Sequence, residues 1–196
     1  MPTRPRRPRR SPEPTSERLL EAATAEFNEH GFGGTDTNRI ARRAGFAPQT
    51  FYRWFEDKLD VFIKIYDRWR SDELATLSRL LAENASDARL AQAVIAHHKA
   101  YLIFRRSLRQ LSVENAAVRA ARAESRLSQI SFIRKMNSNS DRDDSSLAVA
   151  LFQTERLADA VAEGEFQDMG LDKRAGERAL TRLIHDLRRA GEDSRQ

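Results

Sequence analysis

Apolar side chains recur every three to four residues through most of the sequence, and this spacing constrains the fold more than any other feature. No segment shows the sustained alternation of apolar β-branched and polar residues that marks a half-buried strand. Glycine and proline, which interrupt helices, number only 8 and 6 among 196 residues. The sequence therefore predicts an all-α protein whose helices each bury one face.

Cap and turn signals divide this pattern into separate helices. Thr15 or Ser16 is suited to cap the first helix, which Gly31 ends. Thr35 and Pro48 each open a short helix. Longer helices are predicted over about 58–82, 90–111 (as one helix), 116–136, 147–161 and 180–187. The polar residues 137–144 predict a surface loop.

The net charge of +5 is concentrated in the first ten residues. That stretch contains no acid and five arginines, Arg4, Arg6, Arg7, Arg9 and Arg10. Its prolines exclude a helix and it has nothing apolar to bury, so we expect residues 1–14 to form a disordered basic arm. Such an arm binds a polyanion like DNA by releasing counterions, and it can enter a minor groove. The alternative is a solvated tail or a cloning remnant.

The composition argues against several classes of protein. The absence of cysteine excludes disulfides and thiolate metal sites and fits a reducing cytoplasm. No apolar run approaches the roughly 18 residues of a membrane span, and no apolar segment follows the basic N-terminus as in a secretory signal. We therefore expect a cytoplasmic protein with no membrane partner, no metal and no cofactor.

No catalytic motif is present. There is no GxSxG sequence and no phosphate-binding glycine loop. Ser107 and Ser112 lie near His98 in sequence, but helical spacing alone is weak support for a hydrolase. An HExxH or similar metal-binding spacing is absent around the four histidines, His30, His97, His98 and His185. We therefore predict that the protein is not an enzyme.

Residues 35–55 have the pattern of a helix-turn-helix: two short helices joined by a tight turn at Gly45. Ala41 is small where the helices must cross, and Phe46 and Phe51 supply the apolar contacts between them. The segment 38–55 contains four arginines and no acid. This arrangement predicts a DNA-binding surface. The alternative is an ordinary pair of short helices whose arginines are solvated.

The stretch "FNEHGFGGTDTNRIARRAGFAPQTFYRWFEDKLDVF" resembles the N-terminal domain of the TetR family of bacterial transcriptional regulators. The resemblance implies an all-α, two-fold dimer of about nine helices per subunit. It also implies a helix-turn-helix domain over residues 15–60 and a helical regulatory and dimerisation domain over residues 61–196. The positions that carry the resemblance are Phe27, Gly31, Phe32, Thr35, Ile40, Ala41, Ala44, Gly45, Thr50, Phe51, Tyr52, Phe55, Lys58, Leu59 and Phe62.

The same resemblance implies which side chains contact a double-stranded DNA operator, with a recognition helix at about 48–54. Pro48, Gln49 and Thr50 would lie nearest the bases. The implied phosphate contacts are Thr35, Thr50, Tyr52, Trp54 and Lys58. Lys58, at the start of the long helix, would also couple DNA binding to the second domain. The charges of Arg42 and Arg43 predict further contacts with the DNA backbone.

Three positions depart from the family's pattern. Ala47 stands where a serine or threonine commonly caps the recognition helix, so that cap is missing. Gln49 replaces a small residue, and since its amide can form two hydrogen bonds with adenine, we predict that it reads a base. Trp54 replaces a histidine or tyrosine, and its indole N–H can still donate to phosphate.

The resemblance places a ligand cavity among the middle helices, for an unknown small-molecule effector. His97 and Tyr101 interrupt the apolar row between residues 90 and 111, and Arg105 follows one turn later. These three are the candidate ligand contacts, since a largely apolar pocket needs a few polar groups to orient its ligand. The alternative is that His97 and Tyr101 belong to the core and that the arginine is solvated.

The last two predicted helices each carry a broad apolar face that needs a partner. Pairing of both helices across a two-fold axis would give a four-helix interface in a homodimer. The candidate interface residues are Leu147, Leu151, Ala158, Val161, Leu180, Leu183, Ile184 and Leu187. The alternative is burial of these side chains inside the subunit.

These predictions combine into a ligand-responsive transcriptional regulator, a repressor released from a palindromic operator when a small molecule binds the C-terminal domain. The alternative is an architectural or constitutive DNA-binding protein without an effector. A partly apolar cavity in the C-terminal bundle distinguishes the two, because only a sensor needs one.

Overall fold

The computed structural model describes residues 14–136 and 142–189, and all regular elements in these ranges are helices. Residues 1–13 of the predicted basic arm and residues 137–141 of the loop predicted over residues 137–144 lie outside the described residues, and α8 already begins at Asp144. The ten helices are α1 (Thr15–His30), α2 (Thr37–Arg43), α3 (Pro48–Phe51), α4 (Lys58–Ala82), α5 (Asp87–Ala100), α6 (Leu102–Glu114), α7 (Ala116–Met136), α8 (Asp144–Glu163), α9 (Glu165–Asp168) and α10 (Lys173–Arg189).

The fold class and most helices agree with the sequence predictions, and α4 and α7 have the predicted bounds. The single helix predicted over residues 90–111 is wrong. Tyr101, with φ −124° and ψ 33°, leaves the helical conformation and separates α5 from α6. The apolar residues on the two sides of this break belong to different cores: Leu90 and Val94 pack with residues of α8 and α10, whereas Phe104 and Leu108 pack with the N-terminal helices and α4. The one-turn helix α9 was not predicted.

Two predicted helix caps are also wrong. α1 begins directly after Pro14, and no side chain caps it. Asp36, not Thr35, caps α2 by accepting the backbone N–H of Arg39 at 2.8 Å. By contrast, Ala47 leaves α3 without a side-chain cap, as its methyl group dictates.

The first three helices share one apolar core with α4 and α6. Phe27 of α1 and Phe62 of α4 are fully buried, with ring centroids 5.2 Å apart. The ring of Phe104 on α6 lies 4.5 Å from that of Phe62. The N-terminal helices are therefore packed directly on α6, so a displacement of α6 reaches them without an intervening loop.

The C-terminal half is a bundle in which α5, α8 and α10 pack on one another and α7 closes one side. This packing corrects most of the predicted dimer interface, because these side chains already have partners within the subunit. Six of the eight candidates are buried in the single chain: Leu147, Leu151, Ala158, Val161, Leu180 and Ile184. Leu183 and Leu187 are half-buried. The apolar side chains that α8 leaves exposed are instead Val149 and Phe152.

Within the described ranges, no helix combines the length and apolar composition that crossing a bilayer requires. In that same part of the chain, histidine and carboxylate side chains form no group of three or more arranged to hold a metal ion.

Candidate DNA interface and ligand cavity

The recognition segment is a single helical turn, α3, that continues as a turn to Trp54. Gly45 lies in the turn before α3 and has φ +78°, a backbone conformation that favours glycine. Pro48 occupies the first helical position. Phe51 is fully buried and fixes the inner side of the segment. The side chains left on the outer side are exposed: Gln49, Tyr52, Arg53 and Trp54.

Tyr52 is held in place from the neighbouring helix. Its hydroxyl lies 2.9 Å from Thr37 Oγ1 at the start of α2, and the side chain is 58% exposed. Trp54 is 50% exposed. A hydroxyl that is already oriented loses less rotamer entropy when it meets a phosphate. Sequence reasoning missed Thr37, because only the fold brings residues 37 and 52 together.

Two of the four arginines between residues 38 and 55 form ion pairs within the protein. Arg39 Nε donates to Glu26 Oε2 at 2.9 Å, and Arg43 Nη1 donates to Glu26 Oε1 at 3.1 Å while its other nitrogen pairs with Glu29. Burial would raise the pKa of Glu26, but the hydrogen bonds from Arg39 and Arg43 lower it below its usual value. The prediction that Arg43 faces the DNA backbone is therefore corrected, since its charge is matched by two carboxylates. Among the described residues, Arg42 has no such partner.

Thr35 and Lys58 are also engaged inside the protein, which corrects their assignment as phosphate contacts. Thr35 is 4% exposed, and its hydroxyl donates to the carbonyl of Glu26 at 3.2 Å. Lys58 Nζ donates to the carbonyls of Phe32 and Thr35 at 2.8 and 2.9 Å, and burial lowers its pKa. Thr35 thus bonds back to α1, and Lys58 supplies donors to two carbonyls of the loop that follows α1. Lys58 thus ties α4 to the loop between α1 and α2.

A cavity of about 130 Å³ lies between α4, α5, α6, α7, α8 and α10. We call it the C-terminal cavity. Most of its wall is apolar: Leu74, Leu77, Leu81, Leu90, Val94, Phe132, Ile133, Met136, Leu151, Ile184 and Leu187. Its charged or polar wall residues include Glu73, His98, Arg105, Arg126, Gln129, Thr154, Glu155 and Arg188.

Arg105 lines the C-terminal cavity, but the other two candidate ligand contacts do not. His97 Nε2 lies 2.9 Å from the carbonyl of Trp69, and its ring stacks on that indole at 4.8 Å. Tyr101 packs between His97 and Phe104. Both are half-buried: His97 is engaged with Trp69, and Tyr101 packs against the core that α6 shares with the N-terminal helices. The wall histidine is His98, one residue further along the same helix.

A buried network of polar and charged side chains joins α5, α6 and α8 beside the cavity. His98 Nδ1 lies 2.8 Å from Asp159 Oδ1, and Arg105 donates to both carboxylate oxygens of Asp159 at 3.0 Å. Burial would raise the pKa of Asp159, but the hydrogen bond from His98 and the charge of Arg105 hold it far below its usual range. Sequence reasoning missed this network because its members are more than 50 residues apart.

The helix that carries Arg105 also contacts the DNA-binding half. The hydroxyl of Ser107 accepts the backbone N–H of Phe32 at 3.0 Å. Gly31 lies so close that an added Cβ would come within 3.2 Å of that hydroxyl oxygen. α6 therefore touches the cavity through residue 105 and the end of α1 through residue 107.

Comparison with protein families agrees with the geometry of the N-terminal helices. Residues 19–65 match the model of the bacterial regulatory proteins of the tetR family. The chain is 37% identical over 59 residues to the HTH-type transcriptional repressor SCO4008 of Streptomyces coelicolor, a match to 30% of this chain and 31% of that protein. The chain thus spans about a third of the length of the curated relatives it matches.

Solved structures extend the likeness of fold to most of the chain. The fatty acid degradation regulator FadR from Bacillus halodurans superposes with a TM-score of 0.66 at 18% identity, covering 89% of this chain and 96% of that one. A TetR-family regulator from Rhodococcus sp. superposes with a TM-score of 0.67 at 17% identity, covering 88% and 97%. At these identities the likeness concerns the fold alone. Residues 19–65 therefore resemble the N-terminal domain of the bacterial regulatory proteins of the tetR family, and most of the chain shares the fold of solved TetR-family regulators.

Proposed function

We propose that this regulator is a homodimeric repressor that leaves a palindromic operator when a small molecule enters the C-terminal cavity. The observation that carries the proposal is the double role of α6. Arg105 lines the cavity, and two residues later Ser107 holds the backbone of Phe32. The name of the Streptomyces relative, a repressor, supports the sign of regulation. A cavity with a largely apolar wall favours this function over that of an architectural DNA-binding protein.

The recognition segment supplies the DNA contacts. Gln49 lies on its exposed side, near Pro48 at the helix start, and reads adenine through its side-chain amide. Phosphates are contacted by Thr50, by the hydroxyl of Tyr52 and by the indole N–H of Trp54. Exposed arginines at positions 42 and 53 add charge to the same surface. Two such segments in a dimer read half-sites about 34–36 Å apart, one turn of DNA.

Release follows from a shift between two arrangements of the dimer. A molecule that contacts Arg105 favours one position of α6 over another. That difference reaches α1 through Ser107 and through the ring contact between Phe104 and Phe62. The recognition helices then lose the separation that the operator requires. Coupling of this kind is typically about 1–3 kcal/mol, or 5–150-fold in operator affinity.

The dimer forms through the outer face of α8. Val149 and Phe152 are 55% and 56% exposed and lie three residues apart, so they share one face of the helix. Paired with the same face of a second copy, they form a self-complementary apolar patch. This face replaces the buried stripe that the sequence pattern suggested.

The proposal is tested by fluorescence anisotropy of operator DNA, taken first from the DNA flanking the protein's own gene. Fractions of cell metabolites are screened for those that raise the midpoint of thermal unfolding, and each is then titrated into the protein–DNA complex. We expect a binding fraction to weaken operator affinity by about 5–150-fold. If every fraction that binds leaves operator affinity unchanged, the sensor function is wrong.

The variant Ser107→Ala tests the route through α6. It removes the acceptor of the Phe32 N–H while leaving the cavity wall intact. We expect effector binding to persist and its effect on operator affinity to shrink. Ser112→Ala is the matched control, because Ser112 lies on the same helix but bonds the carbonyl of Arg109 and the side chain of Arg122.

A further inference from the structure

The two arginines that α6 and α7 place on the wall of the C-terminal cavity are already paired with carboxylates. Arg105 donates to Glu155 at 2.8 Å and to Asp159 at 3.0 Å. Arg126 pairs with Glu155 as well. These four side chains are only 2–13% exposed, so water screens them little and each charge depends on its partners in the protein.

The rest of the charged wall is compensated in the same way. Glu73 lies 3.4 Å from Nε2 of His98, and Arg188 pairs with Asp87. The ionic groups around the cavity comprise four arginines and four carboxylates: Arg105, Arg109, Arg122, Arg126, Glu73, Glu155, Asp159 and Glu163. An ionic ligand would lose its hydration in the cavity and find no unpaired opposite charge among the described wall residues.

Two uncharged wall residues keep a hydrogen-bond donor without a partner. The indole N–H of Trp69 is buried and bonds no group in the part of the chain that the structure describes. Gln129 accepts a hydrogen bond from Arg126 at 2.9 Å, and within the same ranges its amide nitrogen has no partner. These donors suit an uncharged oxygen on a ligand, and as donors they cannot accept from an ammonium group. The polar groups left on the wall thus also favour a neutral molecule.

The size of the cavity limits what it can hold. Its volume is about 130 Å³, close to the roughly 150 Å³ of an apolar protein cavity that stays dry and takes up benzene. Part of its wall consists of leucines from α4: Leu74, Leu77 and Leu81. Transfer of apolar surface from water onto such side chains is the main favourable contribution open to a ligand here. A single aromatic ring with a short substituent suits both this volume and this wall.

We infer that the C-terminal cavity binds a small uncharged molecule that is largely apolar, about the size of one aromatic ring with a short substituent. Its ring contacts the leucines of α4, and none of its groups requires a counter-charge. Binding therefore leaves the pairs of Glu155 with Arg105 and Arg126 intact. This inference rests on the proposed effector function and names the chemical class of the effector.

Three probes that share one ring and one substituent carbon test the inference at neutral pH: benzyl alcohol, benzoate and benzylamine, which are uncharged, anionic and cationic. Isothermal titration calorimetry of the native protein measures each affinity. We expect benzyl alcohol to saturate one site per subunit and both ions to bind at least about tenfold more weakly, because their charge gains no partner. Equal or tighter binding of either ion, or no saturable binding of benzyl alcohol, overturns the inference.

The variant Glu155→Gln tests why ions are excluded. It removes the carboxylate that pairs with Arg105 and Arg126, so we expect benzoate to bind at least about tenfold more tightly while benzyl alcohol changes little. Glu163→Gln is the matched control, because Glu163 also lies on α8 and pairs with Arg109 but does not line the cavity. If Glu155→Gln leaves the preference for benzyl alcohol over benzoate unchanged, internal pairing does not select a neutral ligand and the inference fails.

Filling the cavity tests where the probe binds. Val94 is buried on the wall, so Val94→Phe should weaken benzyl alcohol at least about tenfold because the added ring occupies its volume. Leu127→Phe is the control, since Leu127 is exposed on α7 and lies outside the wall. Circular dichroism establishes that each variant folds, and Leu77→Phe, at a half-buried wall position, replaces Val94→Phe if that variant does not fold. Unchanged binding of benzyl alcohol to the filled variant would place the probe elsewhere and overturn the inference.

Operator anisotropy with the native protein separates this inference from the function on which it rests. If benzyl alcohol binds as expected and no molecule that binds the cavity changes operator affinity, the neutral site stands and the sensor function fails. If benzoate or benzylamine binds more tightly and releases the operator, the sensor function stands and the inference of a neutral ligand fails.

Discussion

Gln49 is the residue in which we expect most of this protein's own base preference. It is exposed, it follows Pro48 at the start of the recognition segment, and its amide carries both a donor and an acceptor. Gln49→Ala should reduce the discrimination at one operator position by about 1–3 kcal/mol. Anisotropy on an operator series with each base pair changed in turn measures this loss.

The control for Gln49 is Tyr52→Phe, which removes a phosphate-directed hydroxyl. That variant should weaken every operator in the series by a similar factor. If Gln49→Ala behaves in the same uniform way, Gln49 does not read a base.

Glu26 provides a second residue-scale prediction, because two arginines hold its pKa below its ordinary value of 4.5. A lowered folded-state pKa stabilises the protein above the unfolded-state pKa, and this contribution is lost as the pH falls through the folded-state value. Glu26→Gln should therefore lower the free energy of unfolding by about 1–3 kcal/mol at pH 7.

The difference between the Glu26→Gln variant and the native protein should shrink as the pH is lowered from 7 to 3. Urea unfolding at each pH measures it. Glu21→Gln, an exposed glutamate on the same helix, is the control and should change stability little. A difference that stays constant over this range would mean that the charge of Glu26 is not what stabilises the fold.

At the scale of single residues, the burial of apolar side chains in the N-terminal helices was predictable from the sequence. Phe51, expected to join the two short helices, is buried, and Tyr52 and Trp54, which the family resemblance placed toward phosphate, are exposed. Polar partners were not predictable, because a pair such as His98 and Asp159 is joined only by the fold, 61 residues apart. The wrong choice of His97 over His98 came from the same limit.

At the scale of elements, the extent of the long helices α4 and α7 was predictable, but the capping residues of α1 and α2 were not. α4 begins after a cap at Asp57, and its predicted bounds agree with the structure. The break between α5 and α6 carries no glycine or proline, and it exists because each helix packs in its own direction. The dimer interface was predicted on the wrong residues for a related reason. The main apolar faces of α8 and α10 pack against other helices of the same subunit, so they are not exposed to a second subunit.

The missing cap of α3 gives a prediction for that element. Ala47 has the extended backbone of a capping residue, with φ −68° and ψ 149°, but its side chain cannot accept a hydrogen bond. Ala47→Ser should therefore stabilise the protein by about 0.5–2 kcal/mol, measured by thermal unfolding.

The same substitution inside a helix is the control for the cap. Ala120→Ser changes an exposed position in the interior of α7, where serine has a lower helix propensity than alanine. It should destabilise slightly. Equal effects of the two substitutions would show that the start of α3 gains nothing from a hydroxyl.

For the whole molecule, the arm outside the described residues predicts a salt effect. Deleting residues 1–10 removes five positive charges per subunit. If all five contact phosphate, the slope of log affinity against log salt should fall in magnitude by about 4.5 per subunit. Titrations at several salt concentrations measure the slope, and an unchanged value would mean that the arm does not contact DNA.

The dimer gives the last prediction at this scale. Val149 is exposed on α8, so Val149→Asp should not disturb the fold of one subunit, yet it places two like charges near the two-fold axis. We expect sedimentation to show a monomer and operator affinity to fall, because a single recognition segment reads only one half-site.

The control for a general effect of the added charge is the same substitution at another exposed apolar residue of the bundle. Leu127 on α7 is 62% exposed, and Leu127→Asp should leave both the sedimentation behaviour and operator binding unchanged. If Val149→Asp remains a dimer, the subunits pair through another surface.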